Sequence, residues 1–428
     1  MVLSLVSRLQ PDLVNGFSHV GNIVTGRPAE AGSPAGSMCE YHRLKSVAKS
    51  TEIRLRIFCT SITQNGRFAS VSSVQYRPCR MSQQNSTSGD ARVEPRHSQS
   101  DFGDPEAEYR AATESAAVFD VSDRTQLRMT GPDRRSFFHG FCTNDIKGLQ
   151  SGFGCEAFLC NVKGRVLGHV FVFADEDSLW IESVPRQGEA LTSHLNKYHL
   201  VEDLELVDRT ETLSEFLVSG PQAAQKLSDA GLNVAELEPW RHVTTTSQFN
   251  EANFECHAKR VDIFGSCGFL ISTSAEHADS LWQFLTESGI SPAGTSVFES
   301  LRIESRFPIY GIDLSDENLA QEAARTEQAI SFQKGCYLGQ EPIARLNAMG
   351  HVNKALAAFV IDAAETPPVG TVLLNPKKED KEAGRATSVG WSWSAGKPIG
   401  MGMVRALFLE PGTELPVVSE PRTSATIW

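Results

Sequence analysis

The spacing of hydrophobic and polar positions predicts helices and strands in alternation from residue 105 onward. The stretch PEAEYRAATE at 105–114 is rich in the helix formers Ala and Glu, and VFDVS at 118–122 is rich in strand formers. TQLRMT at 125–130 alternates and then reaches a Gly-Pro pair, which is typical of a strand that enters a turn. GEALTSHLNKYHL at 188–200 places its leucines and Tyr198 near helical spacing. This succession of strands and helices predicts an α+β fold.

A second α+β unit and a β-rich end follow along the chain. SEFLVSGPQAAQKLSDAG predicts a strand, a turn and a helix, and ADSLWQFLTESG predicts a further helix. Beyond His351, the apolar stretches AAFVI, GTVLL, TSVGWSWS and IGMGMVRALFL are separated by turn-forming segments, which predicts a small all-β barrel. The predicted domains are therefore an α+β region of two intertwined subdomains at 106–345 and a barrel at 346–428.

Residues 1–105 lack this periodicity and are predicted to be disordered. The part from Met81 to Gly103 is rich in Ser, Gln, Asn, Asp and Gly, and the part before it is basic and rich in Ser. The basic part has the loose composition of an organellar transit peptide. An equally acceptable interpretation is that translation starts at Met81 and the reading frame upstream of it is over-extended.

Charge, hydropathy and cysteine content argue against DNA binding, membrane association, a disulfide framework and a metal site. Residues 1–80 hold 10 Lys and Arg against 4 Asp and Glu, whereas residues 81–428 hold 30 against 48, which disfavours sequence-independent DNA binding. No apolar run reaches the roughly 18–20 residues of a membrane helix, so no membrane association is expected. The nine cysteines include no CxxC pair, so the sequence predicts neither a disulfide framework nor a metal site.

One cysteine has unusual neighbours. Cys336 lies in KGCYLGQE, where Lys334 can supply the positive charge that favours a thiolate. Gly335 and Gly339 allow backbone conformations and close approaches that other residues resist, and Pro342 suits the first turn of a following helix. The local pattern allows two interpretations, a reactive thiol or an inert cysteine in a glycine turn.

KGCYLGQE and its surroundings resemble the folate-binding YgfZ family, which includes mitochondrial iron–sulfur assembly proteins. The signature K-G-C-Y-x-G-Q-E of that family is complete at 334–341, and it follows RIESRFPIYGIDLSDENLAQEA at 302–323. FDVSDRTQLRMTGPDRRSFFHGFCTNDI at 119–146 resembles the opening segment of the wider glycine-cleavage T-protein superfamily, and GMGMVRALF at 400–408 resembles its C-terminal barrel.

The resemblance implies a three-domain, T-protein-like ring, a tetrahydrofolate cofactor, and iron–sulfur client or assembly proteins as partners. It implies a catalytic role for Cys336, assisted by Lys334. It also implies a set of folate-binding candidates: Asn144, Asp145, Arg302, Glu304, Tyr337, Gln340 and Glu341. Because the similarity begins soon after Met81, a bacterial cytoplasm is the favoured location, with the mitochondrial matrix as the alternative.

The aminomethyltransferases of the same superfamily carry two acidic motifs that this chain lacks. Gly168 and His169 stand where those enzymes have a pair of aspartates, and Ser266 stands where they have a pterin-binding glutamate. A neutral group does not replace a carboxylate in proton transfer, so the enzymatic status of the chain stays open. His169 is itself a candidate base, although a core histidine is the simpler interpretation.

Three functions therefore remain. The first is a folate-dependent accessory factor for the assembly or repair of iron–sulfur proteins that acts through Cys336, either by redox exchange or by transient ligation. The second is a one-carbon transferase of aminomethyltransferase type, which would need Glu156 or Asp175 displaced into the pocket. The third is a folate-binding protein without chemistry.

Overall fold

The computed structural model describes residues 95–249, 252–419 and 423–428, together with the backbone of two short antiparallel strands, β1 (Cys39–Tyr41) and β2 (Cys59–Ser61). Internal contacts divide the chain into two units, Met1–Gly89 and Asp90–Trp428. Most of the segment predicted to be disordered lies outside the described residues. Residues 95–104 of that segment are described and packed, because the His97 ring stacks on Trp282 with 4.6 Å between centroids.

The second unit contains two sheets and a barrel. A five-stranded sheet has the order β5-β6-β7-β4-β8 and is antiparallel throughout. A six-stranded sheet has the order β10-β11-β12-β9-β3-β13, in which β13 alone runs parallel to its neighbour β3. Their strands are β3 (Ala117–Asp120), β4 (Arg124–Thr130), β5 (Phe153–Cys160), β6 (Val166–Ala174), β7 (Ser178–Pro185), β8 (Glu205–Asp208), β9 (Leu213–Ser219), β10 (His242–Phe249), β11 (Ala252–Val261), β12 (Gly268–Ser274) and β13 (Ser291–Pro292).

Helices lie between and after these strands. They are α1 (Pro105–Glu114), α2 (Arg134–His139), α3 (Gly188–Asn196), α4 (Ala223–Asp229), α5 (Ala278–Glu287), α6 (Thr295–Glu304), α7 (Thr326–Ala329) and α8 (Gln340–Met349). Short 3-10 helices span Thr210–Thr212, Ala275–His277, Ala320–Ala323 and Ala406–Phe408. The first helix begins as its sequence predicts, since Asp104 accepts a hydrogen bond from the amide of Ala107 and Pro105 occupies the first turn.

Strand β6 shows how the two sheets pack. Side chains alternate along a strand, so Val170 and Val172 join a cluster with α2 and α3, while Phe171 and Phe173 join a cluster that includes Leu217 of the other sheet. Both faces of β6 are buried, which explains its almost unbroken apolar sequence. The two sheets thus face each other through an aromatic layer.

The C-terminal strands form a closed barrel in the order β14-β17-β16-β15-β18-β19. They are β14 (Lys354–Ile361), β15 (Val372–Asn375), β16 (Lys378–Ser392), β17 (Lys397–Arg405), β18 (Glu414–Val417) and β19 (Thr423–Ile427). Strand β16 begins inside NPKKEDKEAG at 375–384, one of the segments predicted to form turns, because an antiparallel hairpin pairs Asn375 with Lys378. Helix α8 crosses the predicted domain boundary at residues 345 and 346.

The α+β fold and the C-terminal β-barrel predicted from the sequence are confirmed. Within the described ranges, no helix is both long and apolar enough to cross a membrane.

Candidate functional site

The KGCYLGQE loop joins α7 to α8 and is fixed by backbone contacts at both ends. The amide of Ser331 donates to the carbonyl of Thr143, and the amide of Leu338 donates to the carbonyl of Gly140. Gly339 caps α8 with a φ of +81°, and a Cβ at this position would lie 2.3 Å from the carbonyl oxygen of Asn161. No side chain fits there, so this glycine is a steric requirement of the loop.

Lys334 points into the protein rather than toward solvent. Its ammonium donates to the carbonyl oxygens of His139, Cys142 and Asn144 at 2.6, 2.7 and 2.8 Å. It also lies 4.7 Å from the ring centroid of Tyr337. Burial lowers the pKa of Lys334 from its usual value, while the three carbonyls satisfy all three N–H donors. Lys334 therefore holds the loop against residues 139–144.

Cys336 is the exposed member of the six cysteines whose burial the structure describes; the other five are buried or half-buried. Burial raises the pKa of Cys142, Cys155, Cys160, Cys256 and Cys267 above the usual thiol value. Because the donors of Lys334 are all occupied, its ammonium has no proton left to donate to the Cys336 sulfur. The lysine positions the thiol loop.

Of the remaining motif residues, one is buried and two reach the surface. Tyr337 is 5% exposed and packs with Phe158 and Ile343, and burial raises the pKa of its phenol. Gln340 is half-buried and Glu341 is exposed in the first turn of α8. Tyr337 therefore holds the loop down, while Gln340 and Glu341 stay open to a ligand.

Asn144 ties the loop region to the sheet. Its amide nitrogen donates to the carbonyls of Glu156 and Gln328 at 2.8 and 3.2 Å, and its amide oxygen accepts from the backbone of Asp145. The Asp145 carboxylate lies 3.2 Å from the ring of His139 and keeps 47% of its side chain exposed. Asp145 can face a ligand, whereas the side chain of Asn144 is occupied internally.

Arg302 is placed away from solvent, with 0% exposure. Its guanidinium donates to Glu299 at 2.7 Å, to Asp313 at 2.9 Å and to the Ser388 hydroxyl at 2.7 Å. Two carboxylates raise the pKa of Arg302 against the opposing effect of burial. Its donors are all used by Glu299 on α6, by Phe307 and Asp313 in the segment after α6, and by Ser388 of the barrel, which leaves none for a folate carboxylate.

Glu304, the last residue of α6, is similarly engaged. Its carboxylate accepts from the Tyr109 hydroxyl at 2.8 Å and from the Ser392 hydroxyl at 2.6 Å. Burial raises the pKa of Tyr109 to about 12, so this phenol remains a donor near neutral pH. Arg302 and Glu304 thus belong to a network against the barrel, separate from the hydrogen bonds of the cysteine loop.

A cluster that the sequence analysis did not assign lies beside Asn144. Glu156 on β5 is fully buried, and its Oε1 lies 2.7 Å from Nε2 of His169 on β6. Arg325 donates to both carboxylate oxygens, from Nε at 2.9 Å and from Nη2 at 2.5 Å. The side chain of Arg325 is 13% exposed and that of His169 is 3% exposed. The cluster joins two strands to the segment that leads into α7.

The electrostatics of this cluster favour an ionised carboxylate. Burial alone would raise the pKa of Glu156, but the hydrogen bonds and charges of Arg325 and His169 outweigh it and lower the pKa to about 2. Glu156 in turn raises the pKa of Arg325. The carboxylate is therefore an acceptor at every pH at which the protein is expected to work.

Ser266 and Gly168 have ordinary packing roles. The Ser266 hydroxyl lies 3.2 Å from that of Ser219. A Cβ on Gly168 would lie 2.7 Å from Leu191, which makes this position tight. Asp175 accepts from Ser178 and from the indole of Trp180, so it is not displaced into the Glu156 cluster.

The sequence suggested Glu156 only as an acid that would have to move into the pocket, and it gave no role to Arg325. A glutamate in the apolar strand FGCEAFLC is a usable signal, because a buried carboxylate requires a partner. Nothing in the sequence near Arg325 identifies that partner, which is 169 positions away.

Comparisons with known proteins match nearly the whole described region. Residues 64–334 match the model of the GCVT N-terminal domain, and residues 354–427 match the glycine cleavage T-protein C-terminal barrel domain. An aminomethyltransferase of Desulforamulus reducens is 26% identical over 317 residues, which are 73% of this chain and 85% of that one. A putative chloroplastic transferase of Arabidopsis thaliana is 27% identical over 306 residues, 71% of this chain and 68% of that one.

A solved structure shares the fold. The glycine cleavage system aminomethyltransferase T of Bartonella henselae superposes with a TM-score of 0.67 and 21% identity, covering 75% of this chain and 87% of that one. The first family model alone spans more than half of the 428 residues. The chain therefore belongs to the glycine-cleavage T-protein family.

Proposed function

We propose that this protein is a YgfZ-like member of the family, which binds tetrahydrofolate and supports the assembly or repair of iron–sulfur proteins through Cys336. The observation that carries the proposal is the exposure of Cys336 on a loop that Lys334 fixes in place. Two further observations support it. Its signature is complete, and Gly168, His169 and Ser266 replace the acids expected of an aminomethyltransferase.

The thiol is proposed to act as a transient ligand. A thiolate is a soft ligand suited to iron–sulfur chemistry, but one cysteine cannot hold a cluster alone. The client or assembly protein must then supply the other ligands, and the cluster is cargo rather than a resident cofactor. An exposed thiol on a fixed loop meets the requirement of access by a second protein.

The described residues that can meet a reduced pteridine lie at the cysteine loop rather than at Arg302. The guanidinium of Arg302 is fully paired, whereas Asp145 keeps 47% of its side chain exposed and Glu341 is exposed in the first turn of α8. A carboxylate can accept hydrogen bonds from the ring N–H groups of a pteridine. When bound, tetrahydrofolate would supply a carrier for one-carbon units.

The thiol is tested by complementation. In a host strain that lacks its own gene for this function, the wild-type chain is expected to restore the activity of iron–sulfur enzymes, and Cys336→Ser to lose most of that restoration. Cys267→Ser, a substitution at a half-buried cysteine, serves as the matched control. Full restoration by Cys336→Ser would remove the thiol from the proposal.

Folate binding is tested separately by titrating the purified protein with tetrahydrofolate in a calorimeter under anaerobic conditions. Saturable 1:1 binding is expected for both the wild type and Cys336→Ser, since the thiol is not proposed to hold the folate. No binding by the wild type would contradict the folate part of the proposal.

One-carbon transfer is the second candidate, because Glu156 and His169 form a carboxylate–histidine pair where the transferases have an acid. Formation of methylenetetrahydrofolate from an aminomethylated carrier protein would support it. A preparation that binds tetrahydrofolate but gives no product would leave the accessory function as the better account.

A further inference from the structure

A small polar cavity lies between the two sheets of the α+β region. Gln126 on β4 and Trp180 on β7 line it from the five-stranded sheet, while Lys259 on β11 and Ser272 on β12 line it from the six-stranded sheet. The space holds about one water molecule. A molecule much larger than water therefore does not fit between these side chains.

Gln126 is the unusual member of this lining. Its side chain is 0% exposed, yet neither Oε1 nor Nε2 has a hydrogen-bond partner among the residues that the structure describes. Its backbone is held in place, since its amide donates to the Thr210 hydroxyl at 3.0 Å and its carbonyl accepts from the amide of Arg209. A buried side-chain amide without partners destabilises a fold, and native proteins usually supply such partners.

Two other groups of the lining keep hydrogen-bonding capacity. The Ser272 hydroxyl accepts from Lys259 at 3.1 Å, and its own hydrogen is still available for donation. Nε2 of His242 lies 3.0 Å from the carbonyl oxygen of Ala174 and so carries a hydrogen, which leaves Nδ1 of the neutral ring as an acceptor. The Asp175 carboxylate is 3.8 Å from Nδ1, too far for a hydrogen bond.

The charge of Lys259 favours a neutral occupant. Its ammonium donates to Glu182, to Glu215 and to Ser272, which uses all three of its hydrogens. It therefore has no donor left for an anion, while its positive charge repels a cation. A molecule that both donates and accepts hydrogen bonds, has no charge and is small enough for the cavity is water.

We propose that this cavity binds one ordered water molecule, which joins the two sheets by hydrogen bonds to the Gln126 amide and the Ser272 hydroxyl, with Nδ1 of His242 as a third partner. Buried waters typically make about three hydrogen bonds to polar groups that the protein leaves unpaired. The water is thus a second polar connection between the sheets, beside the charges around Lys259. The inference does not depend on the proposed function.

Gln126→Met distinguishes a hydrated amide from an unpaired one, because methionine has a similar length but no amide. If the water pairs the amide, the substitution removes favourable hydrogen bonds, and we expect the urea midpoint of unfolding to fall. If the amide is unpaired, the substitution removes a destabilising group, and the midpoint rises. An unchanged or raised midpoint would overturn the proposal.

A double-mutant cycle tests whether Gln126 and Ser272 hold the same water. We expect the combination of Gln126→Met with Ser272→Ala to lose less stability than the sum of the two single losses. Ser183→Ala is the matched control, because this buried hydroxyl on β7 donates to the carbonyl of His169 and is not part of the cavity lining. Its loss should add to that of Gln126→Met.

A crystal structure of the full chain gives the direct test. Density for a water within hydrogen-bonding distance of both Gln126 and Ser272 is expected in the wild type and not in Gln126→Met. Additive losses in the cycle, or a wild-type cavity without that density, would overturn the proposal. If Gln126→Met fails to fold, the wild-type density decides the question alone.

Discussion

Two glycines in one motif have different tasks at the scale of single residues. Gly339 has a φ of +81° and faces a backbone oxygen at a distance that excludes a Cβ. Gly335, four positions earlier, has no heavy atom within 4 Å of the position a Cβ would take. The backbone therefore requires a glycine at 339 but not at 335. Gly335 instead leaves space around the neighbouring thiol of Cys336.

Alanine substitutions should separate these tasks. Gly339→Ala is expected to lower the free energy of unfolding by about 2 kcal/mol or more, because a left-handed conformation and a backbone clash both oppose the new methyl group. Gly335→Ala is expected to change it by less than about 0.5 kcal/mol. Urea denaturation of the two variants measures the difference, and equal effects would contradict this assignment.

Glu156 should make stability depend on pH in the acid range. Its pKa is lowered in the folded protein from 4.5 to about 2, so its contribution is complete above pH 4.5 and is lost as the pH falls toward 2. The contribution at neutral pH is about 3 kcal/mol, at about 1.4 kcal/mol per pKa unit. Glu156→Gln should therefore be much less stable than the wild type at pH 7, with the gap narrowing toward pH 3.

Glu327→Gln provides the control for this measurement, since Glu327 is exposed close to Arg325 in the sequence. Denaturant unfolding at pH 7, 5 and 3 gives the free energy of unfolding of the wild type, Glu156→Gln and Glu327→Gln as a function of pH. A gap between wild type and Glu156→Gln that stays constant with pH would show that the carboxylate is not the linked group.

Individual elements were largely predictable from local pattern, and contacts between elements were not. The strand and helix of residues 105–130 and the barrel strands follow from periodicity, because each depends on neighbours within a few positions. The partners of Lys334 lie about 190 positions earlier in the chain. Its sequence position beside Cys336 suggested a charge for the thiol, but its length and the nearby carbonyls direct it inward.

Arg302 shows the same limit at the candidate site. An R-x-E pattern on a helix is compatible with a surface pair or a ligand contact, and the sequence could not reveal that Asp313 and Ser388 would surround the guanidinium. The glycines on both sides of Cys336, in contrast, are a local property that the sequence shows directly. Distant partners decide which polar residues face a ligand.

Lys259 on β11 links the two sheets through buried charges. Its ammonium contacts Glu182 on β7 and Glu215 on β9, at 3.1 Å from the latter, and all three side chains are buried. The two carboxylates raise the pKa of Lys259 although burial opposes this. The lysine therefore remains charged between the sheets.

Lys259→Met should cost about 3–5 kcal/mol of unfolding free energy, because two carboxylates would stay buried without their cation. Lys197→Met, at an exposed lysine, is the control and should be nearly neutral. Adding Glu182→Gln to Lys259→Met is expected to recover part of the loss. Thermal and urea unfolding measure these changes, and a neutral Lys259→Met would contradict the ion-pair role.

The whole molecule depends on a connection between α6 and the barrel. Arg302 reaches Ser388 on β16, and the hydroxyls of Ser388 and Thr387 both donate to Asp313 at 2.6 Å. These contacts join the barrel to the preceding α+β region through buried, fully paired charges. The two parts should therefore unfold together rather than in separate steps.

Arg302→Met is expected to lose about 3–5 kcal/mol of stability and to split thermal unfolding into two transitions, while tetrahydrofolate affinity stays within about threefold. Arg385→Met, whose parent side chain is 51% exposed, is the matched control. A large loss of affinity in a variant with unchanged stability would return Arg302 to the ligand-binding residues.

The three carbonyls around Lys334 also have a kinetic consequence. An amine whose protons are all bound inside the fold is shielded from acylating reagents, so it can react only when the loop detaches from residues 139–144. The acylation rate of this one amine in the folded protein would then report how often the cysteine loop opens. A loop that opens rarely offers its sulfur in a single constant position, and a partner protein must adapt its own surface to reach it.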